Sequence, residues 1–392
     1  MRTRLKGLGK WGLLAAWVGG LAGVASAVFL KALYAATDFR VAHPALLFGL
    51  PLAGALVALL YQRLGNGTEA GTKLLLARIQ EPDEPVAFRM APLILLSTVV
   101  THLFGGSAGR EGTALQLGGA VASASQRLFR LPPDDQSLLL LCGLSGGFGS
   151  VFGTPWAGTI FALEVTRTGR PRVEALLPCG IAAFVGDFVC RRLGIHHHVY
   201  ASATPFPTLT LPLLLWVVLA GGIFGGVSRL FTEGLHGVQA LVRRLPIFWL
   251  RPALGGLLVI GLTYATGTRD YLGLGLPLLT RSFSPGGVVL GAFALKLLFT
   301  VVTLGTGFKG GEVTPLFCIG ATLGAAFATV TGQPTGFFAA LGFVAVFAGA
   351  ARAPLACAVL GLELFGVAYA LPLALACSLS ALVASKRSIY AQ

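Results

Sequence analysis

The sequence predicts an all-α, polytopic membrane protein: a bundle of broken, tilted and partly re-entrant helices, built as two inverted-topology repeats. Three observations carry that reading. Hydrophobic residues fill 55% of the 392 positions and charged residues 11%, against roughly a quarter charged in a soluble domain. Mean hydropathy is +0.80. Too little polar surface remains to wrap a water-soluble globule, which excludes a soluble enzyme. The apolar runs are interrupted by Gly105-Gly106, Gly146-Gly147 and Gly310-Gly311 and by Pro155, Pro315 and Pro354. Many are shorter than the ~20 residues that one spanning helix needs, and non-helical backbone survives at membrane depth only where it is buried or lines an aqueous cavity.

The third observation is an internal repeat. PLAGALVALLY from Pro51 matches PALGGLLVIGLTY from Pro252, and GREGTALQLGGA with Glu111 matches GGEVTPLFCIGA with Glu312. TPWAGTIFALE ending at Glu164 matches APLACAVLGLE ending at Glu363. All three pairs stand about 200 positions apart, so a chance origin is improbable, and large repeats in membrane proteins commonly meet near the bilayer midplane, where a substrate site forms. The first repeat is expected over 14–172 and the second over 213–384, with 173–212 connecting them. Residues 1–13 are expected to form an N-terminal segment, and 385–392 a C-terminal segment that contributes Tyr390. No soluble regulatory domain is expected after Gln392.

Charge supports the topology. The net charge of +14 is concentrated in short gaps, at Arg2, Arg4, Lys6 and Lys10, at Arg243 and Arg244, and at Lys386 and Arg387. Positive loops stay cytoplasmic, so the N-terminus is placed there, in a bacterial inner membrane. Clusters of this kind argue against nucleic acid as the partner. The start of the chain has the outline of a secretory signal, with Ala25-Ser26-Ala27 at its end. Its stretch AWVGGLAGVASAVF is echoed at Trp216 by WVVLAGGIFGGVSRLF, so the segment reads as structural. The six cysteines lie in apolar surroundings without a CxxC pair and read as small buried hydrophobes.

The chemistry gathers at the breaks. GGSAGREGTALQLGGA places glycines around Arg110 and Glu111 and then starts a helix. Freed backbone N–H groups and the positive end of a helix dipole make an anion site there. Glu111 would compete with an anionic substrate for that site. A carboxylate that leaves when protonated and returns when ionised exchanges a proton for an anion; the competing reading is a structural Arg110–Glu111 ion pair. The second half repeats the form in GTGFKGGEVTPLFCIGATLGAA, with a helix expected to begin near Pro315. Glu312 and the Thr314 hydroxyl would face Glu111, although Thr314 also fits a helix N-cap.

The paired motifs GREGT and GGEVTP, the repeat and the terminal SIYAQ resemble the CLC family of anion channels and anion/proton antiporters over almost the whole chain. Chloride-type members carry GREGP and GGxFxP; Thr113 and the triplet Glu312-Val313-Thr314 depart from that pattern and are similar to the fluoride-exporting branch. The resemblance implies a fluoride/proton antiporter, no cofactor, and a homodimer in the bilayer. Glu111 would then be the gate and proton carrier, and Glu312 and Thr314 would couple the two ions. Gly109, Arg110, Gly112, Thr113 and Val313 would surround the anion, and Tyr390 would donate its hydroxyl to it. Read alone, Tyr390 suits an interfacial anchor.

Further departures bear on the same branch. Chloride antiporters place a second, proton-relaying glutamate directly after the residue corresponding to Glu164, where this chain has Val165. Glu164 and Glu363 therefore read as structural acceptors for helix-end donors. The anion-holding motif of chloride members corresponds to GNGTEAGTKLLL, which offers either Asn66 or Gly71-Thr72; spacing to Glu111 favours Gly71-Thr72. The paired phenylalanines of the fluoride branch are not assigned, since leucine fills the first place and only Phe283 lies near the second. His196-His197-His198 has no carboxylate or cysteine at ligand spacing and reads as a solvated loop, not a metal site.

Fluoride export has a physical rationale. Neutral hydrofluoric acid crosses membranes and dissociates inside, trapping fluoride, and proton-driven exchange reverses that accumulation. A small, strongly hydrated anion needs dense donors to replace its water, which backbone N–H groups and hydroxyls supply. Two other functions fit the composition: a passive chloride or nitrate channel of the same fold, and a non-transporting membrane scaffold. A scaffold has no need of carboxylates at glycine breaks in both halves.

Overall fold

Helices begin where the sequence sets its breaks. A computed structural model of the protein describes residues 2–82, 84–166, 173–197 and 206–390, with side chains from residue 9. The first half runs through α1 (Arg2–Ala42), α2 (Leu50–Leu64), α3 (Thr72–Gln80), α4 (Met90–Leu103), α5 (Glu111–Leu128), α6 (Gln136–Phe152), α7 (Pro155–Val165) and α8 (Leu176–Arg192). The second runs through α9 (Leu211–Arg243), α10 (Leu250–Thr266), α11 (Leu276–Arg281), α12 (Ala292–Gly305), α13 (Val313–Thr331), α14 (Thr335–Ala351), α15 (Pro354–Phe365) and α16 (Ala370–Val383). Pro155 and Pro354 open their helices, where a missing N–H costs nothing.

Among the described residues five segments are long and apolar enough to cross a bilayer, while α4, α10, α12, α14 and α15 are apolar but shorter. Every residue of α14 is buried, and α5, α6 and α13 are buried over most of their length. Packing of this core depends on small residues, since lipid supplies no hydrophobic drive between helices. A Cβ on Gly118 would stand 2.0 Å from the Gly143 carbonyl oxygen, and one on Gly320 would stand 2.0 Å from that of Gly342. Glycine thus lets α5 lie on α6, and its counterpart α13 on α14. Around the core, Trp17, Leu52, Leu215 and Leu257 remain exposed, as lipid-facing side chains would.

The repeat is inverted, and equivalent helices meet. α2 touches α10, α5 touches α13 and α7 touches α15. Gly109 and Gly311 form an antiparallel bridge at the junction. Two expected boundaries differ. Residues 2–13 are the first turns of α1 and not a separate segment. The expected connecting region contains α8, which packs on α1, α6 and α7 as α16 packs on α9, α14 and α15. Its sequence LLPCGIAAFVGDFVCRR has little in common with ALPLALACSLSALV of α16, so sequence matching does not pair the two.

Candidate functional site

The start of α5 and the start of α13 point at each other across the junction. The loop strands before them are tied by two hydrogen bonds, Gly109 N–H to the Gly311 oxygen at 2.6 Å and Gly311 N–H to the Gly109 oxygen at 2.8 Å. Only glycine fits here. A Cβ on Gly109 would lie 2.8 Å from Glu111 Oε2, the Gly311 oxygen and Pro315 Cδ alike. The Gly109 N–H is thus engaged by Gly311 within the junction.

Glu111 is wholly buried and its carboxylate occupies the converging donors. Oε2 accepts from the Thr314 N–H at 3.0 Å and the Arg110 N–H at 3.1 Å, and Oε1 accepts from the Thr314 hydroxyl. Arg110 Nε lies 3.5 Å from Oε1, so the ion pair of the competing reading is present as well. The donors around the carboxylate are those of a helix start, the kind of arrangement that binds anions. Thr314 is not an N-cap. That position belongs to Glu312, α13 starts at Val313, near Pro315 as expected, and the Thr314 hydroxyl is directed to the other half.

Beyond Glu111 lies a cavity of about 440 Å³ lined by Gly71, Thr72, Gly112, Gln116, Glu312 and Tyr390. Glu312 is within Coulombic reach of both Glu111 and Lys73. Of the two alternatives in GNGTEAGT, Gly71-Thr72 reaches the cavity. Asn66 is exposed in the turn after α2, with φ +45°. Val313 is fully buried in the first turn of α13. The Thr113 hydroxyl is hydrogen-bonded to that of Thr98 at 2.7 Å.

Tyr390 is 7% exposed, its ring edge-on to Phe161, and its hydroxyl is buried without a hydrogen-bond partner among the described residues. That overturns the interfacial anchor. A second cavity, of about 450 Å³, also reaches Tyr390 and Lys73 and contains Val165, Arg352 and Lys386. Sequence reasoning missed the cations around these spaces. Lys73 follows Thr72 directly, and Lys309 precedes Gly310 in the second motif, where its ammonium donates to the Glu69 carbonyl and lies 4.5 Å from the Tyr61 ring. Arg243, read as a topology signal, lines the first cavity. Their positions beside the motifs were the available signal.

The remaining expectations fall outside the junction. Glu164 accepts from Leu355 N–H at 3.1 Å and Ala356 N–H at 2.7 Å, at the start of α15. Glu363 accepts from Trp156 N–H at 3.0 Å and Ala157 N–H at 2.7 Å, at the start of α7. Both are the structural acceptors expected. Phe283 packs among Phe343 and Phe365. The six cysteines are buried and free. His196 is exposed, but His197 is tucked 3.4 Å from Asp187 instead of being solvated, and His198 lies outside the described residues. Among the described residues no His, Cys, Asp and Glu cluster could hold a metal.

Fold and junction together define a class, the inverted-repeat membrane transporters, whose sites form between the repeats. Residues 53–385 match the voltage gated chloride channel family, and the chain belongs to that family. A protein of Pseudomonas syringae pv. tomato, described as a chloride/fluoride channel protein, is 46% identical over 98% of this chain and 86% of its own. The crystal structure of a CLC-type fluoride/proton antiporter superposes with a TM-score of 0.93 at 36% identity, over 98% of this chain and 97% of that one. A slow cyanobacterial Cl⁻/H⁺ antiporter shares the fold, with a TM-score of 0.86 at 22% identity over 97% and 96%. The fold is that of the family's anion/proton antiporters.

Proposed function

We propose that the chain is a fluoride/proton antiporter that exports cytoplasmic fluoride in exchange for protons, with Glu111 as the gate. One observation carries the reading: a carboxylate, itself an anion, occupies a junction of N–H and hydroxyl donors drawn from both halves. Protonation removes its charge and frees those donors for fluoride; ionisation returns it. Glu312, one residue before the facing helix, receives the proton, and Thr314 hands its hydroxyl from Glu111 to the anion. Gly71, Thr72, Gly112, Val313 and Tyr390 complete the path. Lys73, Arg243 and Lys309 draw anions into the cavity on the cytoplasmic side, where the N-terminus also lies. The similarity to a fluoride/proton antiporter supports the choice of ion.

We further propose that the protein works as a homodimer in the bacterial inner membrane. Purified protein in liposomes tests the main reading: fluoride efflux recorded together with proton uptake is expected to show fixed stoichiometry and preference over chloride. Passive anion conduction is the second reading, favoured by the relative described as a channel. It would show as flux that sets a membrane potential and moves no protons.

A further inference from the structure

A cavity of about 890 Å³ is lined by the second half of α1 and by residues around Arg269 to Pro277. α1 serves as the ruler. Lys10 bonds Asp135 at the start of α6, where Ser137 bonds the Ile79 carbonyl beside the Val165 cavity. The large cavity is lined by α1 residues from Lys31 to Val41. At 1.5 Å per residue, these levels stand roughly 30–45 Å apart, about a bilayer thickness. Its walls carry Lys31, Arg40 and Arg269 against Asp38 and Asp270, and Asp270 is paired with Arg281 at 2.5 Å. The surplus is positive.

Tyr34 connects this cavity to the junction. Its hydroxyl oxygen accepts from Arg110 Nη1 at 2.7 Å, and the guanidinium lies 6.0 Å from its ring. Arg110 is also the ion-pair partner of Glu111, whose other neighbour in the chain, Gly112, faces the opposite cavity. A continuous chain of contacts thus runs from the large cavity through Tyr34, Arg110 and Glu111 to Thr314.

We infer that Tyr34 is the outer latch of the transport path: its hydroxyl holds the Arg110 guanidinium in place until an anion from the path replaces it as acceptor. The guanidinium has only donors, and the phenolic oxygen is a neutral acceptor. A full negative charge makes the stronger hydrogen bond and displaces it. Arg110 then releases the anion into the basic cavity and returns to Tyr34. The inference rests on Glu111 as the gate and adds a residue on α1 that positions its partner.

Tyr34→Phe keeps the ring and removes the acceptor. Proteoliposomes carrying Thr37→Cys, on the same cavity wall, allow the two faces to be separated. A membrane-impermeant thiol reagent silences the molecules that turn this cavity outward, because the native cysteines are buried. With Tyr34→Phe added, the half-saturating fluoride concentration is expected to fall about tenfold on the Tyr34 face, the scale of one hydrogen bond to a charged group, and to stay unchanged on the Lys73 face. No change, or an equal change on both faces, overturns the latch. If the unmutated protein moves fluoride without protons, the antiporter reading fails, yet the face-specific shift still decides the latch. Thermal melting of Tyr34→Phe in detergent, expected to match the parent, separates the effect from misfolding.

Discussion

Glu111 and Thr314 stand in different halves of the chain, yet the carboxylate of one accepts both the backbone N–H and the hydroxyl of the other. The two repeats are therefore tied together at the junction by hydrogen bonds. In the mechanism we propose, the arriving anion takes over the same donors, so the departing carboxylate and the anion are alternatives.

Replacing Glu111 with Gln or Ala removes the titratable group while leaving the donors of α13 in place. Proton-coupled fluoride export is expected to be abolished, with yield and melting temperature little changed. Ion-selective electrode recordings of efflux alongside pH measure it directly. Normal proton-driven export by Glu111→Ala would remove Glu111 from the mechanism.

Glu312→Gln should impair turnover or coupling more than Glu164→Gln. Glu312 lines the cavity next to Gly112, whereas Glu164 is occupied with two N–H donors of α15. For Glu164→Gln the expected loss is in stability, about 0.5–2 kcal/mol by analogy with a lost helix cap. Paired flux recordings would sink the proposed proton route if Glu164→Gln uncoupled transport while Glu312→Gln left it intact.

Thr314→Val deletes a donor from the junction and keeps the side-chain shape. Fluoride handling should weaken by about 1–3 kcal/mol where the bonding partner is left buried and unpaired. The apparent fluoride affinity, taken from the concentration dependence of efflux, reports it. An unchanged affinity would leave the hydroxyl without a role in binding.

Lys296 supplies a stability prediction unconnected with Glu111 and Glu312. Its fully buried ammonium donates to Ser107 Oγ at 2.9 Å, the Tyr271 carbonyl at 3.0 Å and the Gly273 carbonyl at 2.8 Å. Ser107 in turn bonds Thr300, so the loop before Glu111 is held to α12 of the other half. Lys296→Met strands those acceptors at about 1–3 kcal/mol each. The melting temperature in detergent should drop further than for Glu164→Gln.

The repeat, its inversion and the facing carboxylates were legible because each rests on a local pattern: glycines, then an acid, then a helix, twice. Glu164 and Glu363 were readable as acceptors, since a buried acid next to helix breaks needs donors. Contacts between distant segments were not legible. Nothing near Thr314 says that its hydroxyl serves Glu111 and not its own helix. Nothing near Tyr34 names Arg110. Nothing near Gly109 says that its N–H is taken by Gly311, about 200 residues away. α8 was hidden because its lipid-facing sequence diverged from that of α16 while its packing did not.

The exchange of acids between α7 and α15 bears on how the chain is made. As the first half emerges, the opening N–H groups of α7 await Glu363, a residue 207 positions beyond Trp156. Unsatisfied donors are expensive within a bilayer, so the first half can enter the membrane but cannot finish its own structure. Its completion is deferred until the end of synthesis, and a truncated product lacking α15 would carry an open helix end for the quality-control machinery to find.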